Sequence, residues 1–469
     1  MLVAAVAGRT LAADEGRLTL LAVGDDDQNI YAFRGASVDF IRRFKDDYQA
    51  QIHYLIENYR ASAHIIAAAN TLIAHNRERM KTGQPGRIDR RRRREPPGGR
   101  WEALDPQGRG RVEVLELPDP GRQAAALVDL MQRRRALGGG DWSAFAVLAY
   151  RHETLHPIRA LCEAAGIPVA WRGDLPPLHR VREIAAFLDG LAALGHAPCT
   201  AADLDARLPA DASPWRQPLL DLIDDWRGEA GEGAVAASRI LEFCYETLGE
   251  QRRDRGLGDG VLLATLHGAK GLEFPHVLIA DGPGGGASGR DDPEEARRLY
   301  YVGMTRARET LTLGRLPGGA NPAPRLFEGD WLLHTRVEIA APPAAIVARR
   351  YELLSPAAID LGYAGRQAPG DPIHGRLAAL NTGDVLQLRP QGESVLLCDA
   401  GGGCVGRLSR RAAADWLPRL PAVESARVVA LLRRRRDDGE AEYRDTCRVD
   451  TWEYPLVELV WRPAGAQRP

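Results

Sequence analysis

Lysine is the scarcest thing in this 469-residue chain relative to need: of 62 basic residues, only Lys45, Lys81 and Lys270 are lysines. A phosphate-cradling loop of the form Gly-x-x-x-x-Gly-Lys-Ser/Thr places its lysine directly after glycine. Lys45 stands in Phe-Lys-Asp, Lys81 in Met-Lys-Thr and Lys270 in Ala-Lys-Gly, so none fits. No lysine follows Lys270, which disfavours a nuclease tail built on paired acids and an Asp-x-Lys-type triplet. The six cysteines form no CxxC pair and no Cys/His group at zinc spacing, which reads as reduced structural thiols in an intracellular protein. No apolar run reaches the ~18 residues of a membrane span. The opening MLVAAVAGRT lacks the basic n-region of a secretory signal. These shortages point to a cytoplasmic protein with no membrane partner. Net charge is lacking too, at −1, so any basic surface must be local. What remains is ordinary for a globular protein of two to four domains, with 45% hydrophobic and 27% charged residues.

Along the chain, short apolar runs alternate with helical spacing. Residues 17–23 (RLTLLAV) read as a buried strand, 37–44 as a helix, 52–56 (IHYLI) as a strand and 62–79 as a long helix. Residues 81–110, with Arg90 to Arg94 consecutive and several Gly and Pro, read as an exposed loop; it is either a solvated surface or a phosphate-contacting one. Strands follow at 111–117, 144–151 and 167–172, separated by helices. Alternation of this kind implies a parallel sheet covered on both faces, an α/β fold. Residues near 195–255 carry helical patterns only. The alternation returns at 261–281 and ends near Arg315. Residues 340–469 are short strands split by turns, which read as a small separate β-rich domain resembling a barrel.

Four blocks carry chemistry. The first, LLAVGDDDQNIYAFRGA, ends an apolar run in Asp25, Asp26, Asp27 and Gln28, then gives Tyr31, Phe33 and Arg34. The acids are a solvated strand end or a metal site; the aromatics beside Arg34 suit base stacking or a core. The second, LIENYRASAHIIAAAN, sets Tyr59 and Arg60 between a strand and a helix. The third, VLLATLHGAKGLEFPHVLIAD, places Thr265, His267, Lys270 and Glu273 between two strands. A chain that writes arginine almost everywhere uses lysine here, which suits a compact ammonium in a tight Gly-flanked loop. The fourth, EEARRLYYVGMTRARETLTL, sets Arg306 where a helix feeds a strand.

In order and wording, these blocks resemble motifs III, IV, V and VI of the UvrD/Rep helicases of superfamily 1, over about residues 1–325. The resemblance implies a RecA-like parallel-sheet motor domain 2A in two parts, 46–194 and 259–325, around a helical 2B-like insertion at 195–258. A remnant of RecA-like domain 1A would occupy 1–45, and the β-rich accessory domain 340–469. It also implies roles. Gln28 would sense the γ-phosphate of ATP with Asp25 in support. Tyr59 would stack on adenine, Arg60 and Arg306 would reach the γ-phosphate, and Glu273 would hold the ribose. Tyr31, Phe33, Arg34, Thr265 and His267 would face single-stranded DNA, although the family more often has Trp where Phe33 stands.

The same resemblance needs a P-loop (motif I) and an Asp-Glu strand end (motif II), and neither is found. Asp14-Glu15 follows TLAA and reads as a surface turn. The expectation is the C-terminal portion of a larger ATP-dependent 3′–5′ helicase acting on single strands and duplex junctions. Its Mg2+ ligands would lie outside this chain, and the chain alone would not hydrolyse ATP. The missing half would be lost, fused or borne by a partner subunit with the P-loop. The wording also resembles the UvrD-type half of large proteins that join it to a RecQ-type half. The alternatives are a non-catalytic DNA-binding or regulatory module, and one subunit of a split ATPase.

Overall fold

The computed structural model describes residues 18–30, 39–171, 177–209, 213–231, 233–251, 260–283 and 292–463. Its centre is a seven-stranded sheet: β1 (Val112–Glu116), β2 (Phe145–Ala149), β3 (Val169–Trp171), β4 (Val261–Thr265), β5 (Phe274–Ala280), β6 (Ala307–Arg315) and β7 (Leu332–Arg336). The spatial order is β7-β1-β6-β5-β2-β4-β3, and every ladder is parallel. Side chains alternate between two apolar layers, as a strand's two-residue period requires. In β2, Ala146 and Leu148 join α2 (Ala63–Ile73) and α8 (Pro293–Met304) on one face. Phe145, Val147 and Ala149 join α3 (Pro120–Gly138) and α4 (His152–Ala164) on the other. Burial on both faces is why these strands are continuous apolar runs. Helix α3 starts where Asp119 accepts the Arg122 N–H at 2.8 Å, and stops at Gly139, whose φ of +69° suits glycine.

Residues 182–251 are mostly helical, with α5 (Arg182–Ala192) and, within the expected insertion, α6 (Arg216–Ala230) and α7 (Ala237–Gln251), plus a two-residue strand pair joining Pro198–Cys199 to Val235–Ala236. The tail forms a six-stranded antiparallel sheet from β8 (Arg350–Leu353), β9 (Val385–Gln391), β10 (Ser394–Cys398), β11 (Cys404–Arg407), β12 (Val423–Arg435) and β13 (Thr451–Trp461). Its order is β8-β13-β12-β9-β10-β11, and among the described residues no ladder closes β8 onto β11, so it is an open sheet rather than a barrel.

The tail does not stand apart. Trp215, Leu219 and Ile240 of the insertion share one apolar core with Val395, Ala430 and Leu456 of the tail. The Trp215 indole N–H donates to Thr382 Oγ1 at 3.2 Å, and Val181 bridges to Leu432. Arg159 of α4 forks onto Glu458 of β13 with two bonds of 2.7 Å, which fastens the tail to the motor sheet as well. Composition marks a change at residue 340, but packing does not respect it.

Other expectations are corrected near the start. Residues 18–25 form no strand, and Leu21 and Val23 are 90% and 81% exposed. A strand needs a neighbour to take its backbone hydrogen bonds, and none runs beside this segment among the described residues. Residues 52–56 likewise stay irregular; only Glu57–Asn58 pairs, with Arg87–Ile88. The helix expected at 37–44 is α1 (Asp39–Tyr48), and α2 stops at Ile73. The expected loop at 81–110 is folded: Trp101 is 1% exposed and its indole N–H donates to Glu309 at 2.7 Å. Among the described residues no helix is long and apolar enough to cross a membrane.

Candidate active site

Arg306 occupies the turn between α8 and β6, at the edge where β5 and β6 begin. It is almost fully buried, and its guanidinium donates from Nε to Val302 O (2.9 Å), from Nη1 to Leu272 O (3.3 Å), and from Nη2 to Thr305 Oγ1 (3.0 Å) and Gln28 Oε1 (3.3 Å). Gln28 closes a single 3₁₀ turn, Asp26–Gln28, capped by Asp25, which accepts the Asp27 N–H at 3.2 Å. The Gln28 side chain also donates to Asp25 Oδ2 at 2.7 Å, and its main-chain O accepts from Lys270 Nζ at 3.1 Å. Asn58 folds the turn before α2 by accepting the N–H groups of Arg60 and Ala61, both at 2.9 Å. This aims Arg60 at the same cluster, where Nη1 donates to Thr305 O at 3.2 Å and Nη2 pairs with Glu273. Glu273 also accepts from Arg308 at 2.7 Å.

The electrostatics follow from this crowding. Burial first, then the like charge of Arg60, lower the pKa of Arg306 from its ordinary value. Burial and then Arg306 likewise lower that of Lys270, against the pull of Asp25. Lys81, Lys270, Arg60 and Arg306 gather beside Asp25, Asp27 and Glu273, with Lys81 on both aspartates and Arg60 on Glu273. Such a cluster is suited to receiving an anion with several oxygens, and a terminal phosphate matches guanidinium geometry.

The three aspartates are not a free metal site, although their carboxylates lie within 4.8 Å of one another. Asp27 is forked by Arg79 with two bonds of 2.7 Å, Asp26 accepts the Met80 N–H at 2.6 Å, and Asp25 takes Lys81 Nζ at 2.6 Å. Each carboxylate is already committed, so the residues present do not fit a resident Mg2+. Sequence reasoning missed Arg79 and Lys81. The signal that could have found Lys81 was the rarity that singled out Lys270: two of three lysines meet here.

Tyr59 is 69% exposed; its hydroxyl donates to Glu57 Oε2 at 3.4 Å and its main-chain O accepts from Arg92 at 3.0 Å. Thr265 ends β4, and its Oγ1 accepts the Gly268 N–H at 3.1 Å, which bends the loop that carries His267, Lys270 and Glu273. Burial lowers the pKa of His267, and a hydrogen bond to the Ile30 backbone opposes it. Tyr31, Phe33 and Arg34 lie outside the described residues.

Known proteins resemble parts of this chain. The family described as the UvrD-like helicase C-terminal domain matches residues 219–315, and the UvrD/REP helicase N-terminal domain matches 6–49. DNA helicase II of Escherichia coli is 27% identical over 388 residues, covering 65% of this chain and 53% of that protein. ATP-dependent DNA helicase UvrD2 of Mycobacterium tuberculosis is 30% identical over 341 residues, covering 64% and 44%. The chain thus spans about half the length of these curated relatives. The solved C-terminal domain of a possible DNA helicase from Lactobacillus plantarum aligns over 59% of this chain and 98% of its own, at 14% identity and a TM-score of 0.27, too slight to inform the fold. With four motif blocks in order and two separate family matches, the chain resembles the UvrD/Rep-type helicases over the matched residues.

Proposed function

We propose that this chain forms one wall of the ATP site of a DNA helicase that moves 3′ to 5′ along single-stranded DNA. Gln28 reads the γ-phosphate, with Asp25 holding its amide. Arg60 and Arg306 meet the same phosphate, where guanidinium charge lowers the barrier of phosphoryl transfer. Tyr59 stacks on adenine, and Glu273 exchanges its arginine partners for the ribose. Thr265 and His267, with Tyr31, Phe33 and Arg34, face the DNA strand and duplex junctions. ATP supplies the transferred phosphate. Mg2+ and the P-loop contacts come from a segment or partner that carries motifs I and II, so residues 1–469 alone do not turn ATP over.

The observation that carries this reading is the meeting of Arg306 with Gln28, 278 positions apart, beside Lys270 and Arg60. Photolabelling with 8-azido-ATP tests it. Labelling confined to the peptide around Tyr59, competed by ATP and reduced in Tyr59→Ala, is the expected result. Labelling elsewhere, or labelling that Tyr59→Ala leaves intact, contradicts it.

A further inference from the structure

A glutamine amide has an accepting end and a donating end of the same shape, so only its neighbours decide which way it faces. At Gln28 they decide it. The Asp25 carboxylate can only accept, and its Oδ2 takes the Nε2 end at 2.7 Å. The Arg306 guanidinium can only donate, and its Nη2 gives to the Oε1 end at 3.3 Å. The amide is therefore as firmly oriented as the Asp25 carboxylate that holds it.

That carboxylate is fixed from outside its own turn. Lys81 Nζ lies 2.6 Å from Asp25 Oδ1, the oxygen that Gln28 does not use, and 3.9 Å from Asp27 Oδ2. Lys81 ends a segment, residues 76–81, that meets the three aspartates one for one in reverse order. Arg79 forks Asp27, the Met80 N–H goes to Asp26 Oδ2, and Lys81 goes to Asp25. The segment is itself anchored on α8. Glu294 accepts the N–H groups of Arg77 and Glu78 at 2.8 and 3.2 Å, and Arg298 Nη2 donates to Glu78 O at 2.9 Å. Helix α8 thus places this segment near its start and Arg306 just beyond its end.

We infer that Lys81 is a positioning residue for the reading of the γ-phosphate: by holding Asp25 it fixes which end of the Gln28 amide the phosphate meets. An amide nitrogen carries two hydrogens. Asp25 takes one, and the second serves a phosphate oxygen. Without the ammonium, the Asp25 carboxylate is free to swing and the amide turns with it. The inference rests on the ATP reading of this site and adds that telling ATP from ADP depends on a lysine that does not itself touch the nucleotide.

Competition for 8-azido-ATP labelling of the full chain, with ATP and with ADP, tests it. The wild type is expected to need about tenfold less ATP than ADP for half-displacement, the worth of one hydrogen bond to a charged group. Lys81→Met should bring the two competitors to within about twofold, because the misoriented amide forfeits that bond, and ADP should compete as in the wild type. Lys81→Met/Asp25→Ala should separate them no worse than Asp25→Ala alone. Amide exchange at Gln28 and Asn29, whose N–H groups close the turn on Asp25 O and Asp26 O at 3.1 Å, should not change in Lys81→Met, since Arg79 and the Met80 N–H still hold the turn. A wild type that does not separate ATP from ADP overturns the ATP reading and this inference together. A wild type that separates them, with Lys81→Met doing so equally, overturns this inference alone. So does a further loss when Lys81→Met is added to Asp25→Ala, which marks a lysine acting on the nucleotide by its own charge, and so does faster exchange at Gln28 and Asn29, which marks one that merely holds the turn.

Discussion

Replacing Arg159 by methionine tests how the tail is joined to the motor. Arg159 and Glu458 are 10% and 9% exposed at their side chains, and two 2.7 Å bonds join them. The guanidinium also lies 4.0 Å from the centroid of the Tyr351 ring. Arg159→Met strands the Glu458 carboxylate in a buried place, which costs about 3–5 kcal/mol. Loss of the ring contact adds about 0.5–2 kcal/mol. The paired change Arg159→Met/Glu458→Leu removes both charges and is expected to recover to within about 1 kcal/mol of the parent, or to exceed it. Urea unfolding followed by tryptophan fluorescence is the assay, because Trp452 and Trp461 lie on the same strand as Glu458. With an unchanged slope, the midpoint shift converts directly to stability. A single variant within about 1 kcal/mol of the parent, or a double variant no better than the single, would refute the idea that this pair is what locks the tail down.

Other expectations follow from the same structure. Burial pushes His276 down to about 3 and His156 down to about 4, so both are neutral when folded. The unfolded chain binds their protons below about 6.5. Stability should therefore fall as pH drops from about 6.5 towards 4, by up to ~1.4 kcal/mol per pH unit for each histidine, and His276→Asn should flatten that slope in pH-dependent denaturation. Arg79→Ala strips the buried Asp27 of its forked partner; amide exchange over residues 25–30 should rise at least a hundredfold, and unchanged protection would show that Arg79 does not hold the turn. Cys162 and Cys244 are buried thiols pushed up to about 12, and Cys199 and Cys398 are buried as well. Ellman's reagent at neutral pH should modify only Cys404 and Cys447 before unfolding, and a fast third thiol would contradict the packing.

Much of the motor was legible because its strands are buried on both faces. FAVLA and VLLAT need no partner identity to read as central strands, and alternation with helices sets them parallel. Gln28, Arg60, Glu273 and Arg306, named from four separate blocks, meet in space. Arg79 and Lys81 were not legible, since nothing in their local sequence shows that they fold back onto Asp27 and Asp25. The same holds for Trp101, a buried ring whose indole N–H is taken by a glutamate more than two hundred positions away. The run at 17–23 misled because a short apolar run forms a strand only where a sheet exists to receive it, and residues 18–23 have none beside them among the described residues. The packing of residues 340–469 against the helices was not legible, because composition reports surface chemistry, whereas the shared core of Trp215 and Leu456 is a matter of packing.

The central claim is that this chain holds the phosphate-reading wall of an ATP site but not the loop that grips the phosphates. DNA-stimulated ATP hydrolysis by the purified 469-residue chain tests it most directly. The account expects no turnover from the chain alone, and turnover that depends on Arg306 once a polypeptide bearing the P-loop is joined to it. Robust turnover by the chain alone, lost on Arg306→Ala, would contradict it.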